Sequence, residues 1–156
     1  MGIGPQEQEF LSTHVMWNTY LMVIRSDGTP TGYPMLTAHH EGRLEFTTYR
    51  SAAKTRRILA NPRLCCVLRT RADEVPRAIA VWGDAIEAAD DGDNFMSRPV
   101  DEQPPIVVPG AMRSSVNDRL ENGKRMLFKM PIDRAQFLLL PPALVAPSPG
   151  GDHGTR

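Results

Sequence analysis

The chain has 156 residues, 18 basic and 18 acidic side chains, no formal net charge and 41% hydrophobic residues, which describes one globular domain able to bury roughly two-thirds of its unfolded surface. Neutrality excludes a general role on nucleic acid or an anionic membrane and leaves only a local one. No apolar run approaches the ~18–20 residues of a membrane helix, and acids in the opening MGIGPQEQEF, where a signal peptide would be basic, favour the cytoplasm over secretion.

Residues 6–14 are predicted as a short helix leading into strand one, Trp17 to Arg25. Asp27-Gly28 between two apolar runs is a hairpin signal, and strand two follows from about Thr31 to His39. Glu41-Gly42 turns the chain into strand three, Arg43 to Thr48, which completes an antiparallel meander. Ser51 is placed to cap a helix from Ala52 to Ala60, its oxygen accepting from an orphan amide, and Asn61-Pro62 stops that helix. Strand four is Leu64 to Thr70. Strand five is Ala78 to Ala88, where Gly83 marks a bulge or a close approach to the backbone. Pro99, Pro104, Pro105 and Pro109 make 97–110 an irregular loop ahead of a short helix, Ser114 to Asn122. Lys124 to Met130 and Ala135 to Leu140 form the last strand or strands. The fold class is mainly β, with one domain over residues 1–140 and a Pro/Gly-rich tail, 141–156, expected to be disordered.

Residues 46–72 hold seven arginines and lysines and no acid, whereas 84–102 hold seven acids and one arginine. The basic segment hands a strand over to a helix start surrounded by Arg50, Lys54, Arg56 and Arg57. Unpaired amides and the positive end of the helix dipole converge there, so the segment is a natural seat for a phosphate. Arg56 and Arg63 are expected to be solvated or paired with the acidic stretch across a subunit contact. Basic runs are usually solvated faces, and it is the surrounding strands that favour the phosphate reading.

Other patterns carry less. Ser51-Ala52-Ala53-Lys54 matches a serine–x–x–lysine signature whose companion motifs are absent. His39-His40 cannot converge on a metal, because neighbouring strand residues diverge and no further ligands complete a shell, so no metal is expected. Cys65 and Cys66 read as reduced thiols in a core strand. Trp82, beside Gly83, reads equally as a core residue, a cofactor contact or a dimer contact; Tyr33 and Tyr49 share that ambiguity. The eight methionines read as core filler.

From about Phe10 to Ala88 the chain resembles the pyridoxamine 5′-phosphate oxidase-like flavin-binding split barrels. The matching frame is Phe10-Leu11 before strand one, DGTP at 27–30, Pro34, EGRLEFTT at 41–48, Lys54, NPR at 61–63 and WGDA at 82–85. The resemblance implies a split β-barrel of about six antiparallel strands with one short crossing helix after strand three. It also implies a homodimer holding FMN, or the deazaflavin coenzyme F-420, in grooves between subunits. Backbone around Pro34, Met35 and Leu36 would face the ring, Thr48 and Lys54 would hold the phosphate, and Thr47 would lie along the ribityl chain. The family commonly has a serine two residues before the lysine; here that position is Ala52, and Ser51 lies three before. Arg50 and Arg57 add charge for a second phosphate or an acidic cofactor tail.

Three functions follow as expectations. The first is a cytoplasmic oxidoreductase using FMN or coenzyme F-420 for hydride transfer to or from a small organic substrate, with chemistry at the ring and no protein acid or base nominated. The second is a non-enzymatic module of the same fold holding a flavin or haem. The third, a nucleic-acid binder, predicts steep salt dependence and lacks stacking aromatics near the arginines.

Overall fold

Two tight turns fold the first three strands onto one another. In the computed structural model, which describes residues 2–89, 93–98 and 109–141, β1 (Met16–Ile24) pairs along its length with β2 (Pro30–His40). At the second turn Glu41 and Gly42 both take positive φ, 48° and 75°, the conformation a two-residue hairpin needs. The chain then enters β3 (Arg43–Tyr49), crosses in α2 (Ala53–Ala60) and returns as β4 (Arg63–Arg69) beside β1. A short helix, α1 (Pro5–Leu11), precedes β1.

The rest of the sheet departs from the expected strand count. Strand five is two pieces, β5 (Ala78–Asp84) and β6 (Ile86–Ala88), parted by Ala85, whose amide is held by the Pro62 carbonyl at 2.9 Å. After α3 (Gly110–Glu121), the chain closes with β7 (Arg125–Pro131) and β8 (Arg134–Leu138). The result is one antiparallel sheet of eight strands in the order β6-β7-β3-β2-β1-β4-β5-β8, rather than about six. Because β5 and β6 are one bent run of chain, they draw the two ends of that order together and curl the sheet into a split barrel. The loop expected at 97–110 and the tail expected from 141 lie mostly outside the described residues; Pro109 and Gly110 open α3.

The inner face of the curl is apolar. Trp17, Leu21, Phe46, Leu68, Ile79 and Phe128 are at most 1% exposed, and the Phe46 and Phe128 rings stack at 5.5 Å. Alternation in the strands puts these residues on one side. Helix α1 plugs one end, with Phe10 against Trp17 and Phe137 at 5.2 and 5.3 Å. Gly83 has the reason suspected from sequence, but the approaching group is β7: an added Cβ would meet the Pro131 carbonyl oxygen at 2.1 Å.

A second, smaller core lies outside the curl, where Phe95, Met96, Val116 and Leu120 cover Met16, Ala38 and Leu127. It is fastened by a charge network. Glu45, on the outer face of β3, is fully buried and takes both prongs of Arg98 at 3.0 Å together with Arg43 Nε at 3.0 Å. Asp93 joins through Arg98 at 3.2 Å. A carboxylate this buried persists only when such donors surround it. Arg63 pairs with Asp84 at 3.6 Å and with Asp133 of the same chain. Among the described residues no helix is long and apolar enough to cross a membrane.

Two outcomes test this packing in denaturant titrations. Gly83→Ala is expected to lower stability by about 1–3 kcal/mol through overpacking against β7; an unshifted midpoint would contradict that contact. Arg98→Ala, which leaves Glu45 buried with Arg43 alone, is expected to cost about 3 kcal/mol, whereas a cost within the surface range would place Glu45 in water.

Candidate functional site

The site is built from a defect in the sheet. β2 and β3 pair only at Ala38↔Glu45, His39↔Leu44 and His40↔Arg43. Beyond those three pairs the strands part, since β2 stays with β1 as far as Pro30 and β3 stays with β7 as far as Tyr49. The facing edges, 31–37 of β2 and 46–49 of β3, are left without a ladder, and their backbone groups need other partners. Pro34 sits on that free β2 edge, where a residue with no amide hydrogen is tolerated. Met35 leans into the main core and Leu36 into the second one.

Cations converge on this cleft. Lys54, one residue inside α2, is half-buried with its ammonium 5.7 Å from the Tyr33 ring centre. Arg57, one turn on, donates to the Tyr33 hydroxyl. From β7, Arg125 donates to Thr47 Oγ1 at 2.8 Å and lies 4.2 Å from the Tyr49 ring. Arg119 of α3 reaches the same ring from 5.5 Å and donates to its hydroxyl. None of these four cations has a carboxylate at ion-pair distance among the described residues. Arg125 Nε is buried with no hydrogen-bond partner among the described residues.

The electrostatics follow from that crowding. Burial first, and then the positive charge of Arg125, pull the Lys54 pKa below the ordinary lysine value. Arg125, with Arg119, holds the Tyr49 phenol below its ordinary value. Uncompensated cations, an orphaned guanidinium nitrogen and the free amides at the start of α2 form a donor set suited to a phosphate monoester. The free β2 edge adds backbone donors and acceptors beside it, as a flat heterocycle with a polar rim requires.

The sequence-predicted residues divide in this geometry. Pro34, Met35, Leu36, Thr47, Lys54 and Arg57 surround the cleft. Thr48 faces inward, its hydroxyl hydrogen-bonded to the Thr55 hydroxyl at 2.7 Å. The single Thr55 hydroxyl hydrogen goes to the Tyr49 carbonyl at 2.6 Å, so this pair secures the strand-to-helix corner. Ser51 is not the helix cap: that position is Ala52, with no side-chain cap, and the Ser51 carbonyl accepts from Arg56 at 2.9 Å. Ser51 lines a shallow cavity of about 370 Å³ with Tyr49, Arg50 and Lys124. Arg50 turns away, donating to the Gly123 carbonyl at 2.9 Å and standing 3.6 Å from Glu87. Trp82 is on the outer face of β5 beneath Arg134 at 4.7 Å, separated from β2 in the strand order by β1 and β4.

Sequence reasoning missed Arg125 and Arg119. Arg119 lies 70 residues downstream of Tyr49, and both arginines reach the cleft only through the Tyr49↔Arg125 register and the packing of α3. Period-2 alternation does group Arg125, Leu127 and Lys129 on one face of β7, but it does not say which strand lies alongside.

No profile of a known protein family matches the chain, and no curated protein matches it. Solved structures do. A conserved hypothetical protein of Mycobacterium tuberculosis superposes with a TM-score of 0.64 at 18% identity, covering 95% of this chain and 94% of that one. An F420 reductase superposes with a TM-score of 0.56 at 22% identity over 82% and 94% of the two chains. A Listeria innocua protein described as a pyridoxamine 5′-phosphate oxidase gives 0.56 at 13% identity over 85% and 95%. The chain therefore has the split-barrel fold of the pyridoxamine 5′-phosphate oxidase-like proteins, the fold its turn and strand motifs resemble.

Proposed function

We propose that this chain is a cytoplasmic flavin-dependent oxidoreductase, a homodimer that holds FMN or coenzyme F-420 in the β2–β3 cleft and moves hydride to or from a small organic substrate. One observation carries the reading: Lys54, Arg57 and Arg125 converge where two strands of this fold part, with no carboxylate at ion-pair distance among the described residues. The cytoplasm is where Cys65 and Cys66, both free, stay reduced.

Each residue has a role in that reading. Lys54 and Arg125 would hold the phosphate, and Thr47, already oriented by Arg125, would lie along the sugar-alcohol chain. The unladdered edge of Pro34–Leu36 would meet the polar rim of the ring while Met35 and Leu36 exclude water. The bound ring supplies the hydride chemistry, and the protein supplies position and electrostatics.

The dimer reading rests on the outer face of the sheet. Register places Pro34, Tyr20, Val67 and Ala80 in one row across β2, β1, β4 and β5, and Gly32, Met22, Cys65 and Trp82 in the next. Neither row contains a charge. Tyr20 is 48% exposed and Ile24 42%, so this face is apolar and partly open to water. It runs from the cleft edge at Pro34 to Trp82, so a second copy seated on it would complete the cleft and bring Trp82 toward a cofactor. A second reading, a non-enzymatic flavin or haem holder, is favoured by the absence of a paired general acid and base among the described cleft residues. Turnover of reduced cofactor with a panel of quinones, nitro compounds and pyridoxal derivatives separates the two.

Lys54→Ala is expected to weaken FMN or F-420 binding at least tenfold with an unchanged circular dichroism spectrum, consistent with loss of a charge-assisted contact; equal affinity would remove Lys54 from the site. Because the ammonium form is what grips phosphate, affinity should fall as pH rises through the depressed Lys54 pKa, and Lys54→Arg should flatten that fall. Val67→Glu, on the apolar row, is expected to yield a monomer by sedimentation that has also lost cofactor affinity; a cofactor-binding monomer would contradict the interface.

A further inference from the structure

Beyond the charge-free rows, the next row of the outer face is Asn18, Arg69, Ala78 and Leu138, across β1, β4, β5 and β8. A cavity of about 430 Å³ lies there, inside the roughly 300–1,000 Å³ range of ligand pockets. The buried Ala78 and half-buried Val67 form its base, and Tyr20, Leu138 and Leu140 its apolar walls. Tyr20 and Leu138 are exposed, so this apolar surface meets water unless something covers it.

Three arginines border the cavity, and two of them are committed. Arg71 donates through Nε to Asp73 at 2.9 Å. The Arg77 guanidinium lies over the Phe10 and Phe137 rings, at 4.5 and 4.8 Å. Arg69 has no carboxylate at ion-pair distance among the described residues. Glu74, the other acid of the segment joining β4 to β5, is held by His14 Nε2 and the Arg71 amide, both at 2.7 Å. That segment is fixed at its base as well. The Thr70 amide donates to the Arg77 carbonyl at 3.0 Å, and Thr70 Oγ1 accepts from the Arg77 amide at 2.9 Å. The cavity rim is therefore organised before a ligand arrives, which lowers the cost of binding one.

We infer that this cavity is a binding site, separate from the cleft, for an apolar carboxylic acid. Its hydrocarbon or aromatic body lies on Val67, Ala78 and Leu138, and its carboxylate meets Arg69. One guanidinium matches one carboxylate through a charge-assisted, bidentate pair. A phosphate monoester, with a charge of about −1.5 to −2, needs more cations than Arg69 alone. A second copy seated on the charge-free rows brings no acid from them, so it would cover the apolar walls and leave Arg69 uncompensated. The site does not depend on what the cleft holds.

The test is calorimetric titration of phenylbutyrate, and of its uncharged amide phenylbutyramide, into the unaltered chain and into variants of Arg69 and Leu138. Both residues are exposed, so neither change opens the core. The acid is expected to bind about tenfold more tightly than the amide. In Arg69→Gln the acid should fall to within about twofold of the amide, whose own affinity stays, and Arg69→Lys should recover part of the loss. Leu138→Gln should weaken both probes, because both use the apolar wall. Excess FMN should leave acid binding unchanged. Equal affinity for acid and amide, binding of neither, an acid affinity untouched by Arg69→Gln, or displacement of the acid by FMN would each overturn the site. A dimer that dissociates in Leu138→Gln, with no acid bound by the unaltered chain, would overturn it too and assign the surface to a second copy.

Discussion

The structure turns on the place where β2 and β3 stop pairing. Three residue pairs hold the two strands together next to the Glu41-Gly42 turn; past them each strand follows its other neighbour. An antiparallel hairpin normally continues its ladder, because unmade backbone hydrogen bonds are costly when buried. Here the parting is stabilised from both flanks by the long β1–β2 and β3–β7 ladders and from outside by the buried Glu45–Arg98 pair at the last shared register position. Helix α2 then carries the chain across from β3 to β4.

That parting brings cations from distant parts of the chain to one opening. Lys54 and Arg57 arrive on α2, Arg125 on β7 and Arg119 on α3. In a closed barrel these positions would sit over paired strands. Over the gap they converge: burial and the charge of Arg125 lower the Lys54 pKa, and Arg125 Nε has no hydrogen-bond partner among the described residues. Each tyrosine serves two cations: Tyr33 offers its ring to Lys54 and its hydroxyl to Arg57, and Tyr49 offers its ring to both Arg119 and Arg125.

Much of the fold was legible because local chemistry dictated it. Asp27-Gly28 and Glu41-Gly42 marked both turns, Asn61-Pro62 ended the crossing helix, and Gly83 announced a close backbone approach. Strand five misled, because one apolar run gives no sign that Ala85 divides it between two sheet neighbours. Ser51 misled too: serine is a good cap by type, but Thr55 fixes this corner from inside the helix by bonding back to Thr48 and Tyr49. At the site, Lys54 and Arg57 were readable from a run of cations without acids. Arg125 and Arg119 were not, since they reach the cleft only through strand register and helix packing across some 70 residues, information that periodicity does not carry.

The central claim is that the parted strands, and the cations that lack a carboxylate partner among the described residues, hold a phosphate-bearing cofactor. A crystal structure of the protein grown with FMN or coenzyme F-420 tests it most directly. The account predicts phosphate density within hydrogen-bond reach of Lys54 and Arg125, with the ring along the free edge of Pro34–Leu36. A cleft closed by a continued β2–β3 ladder, or with Lys54 paired to a carboxylate of the protein, would contradict it.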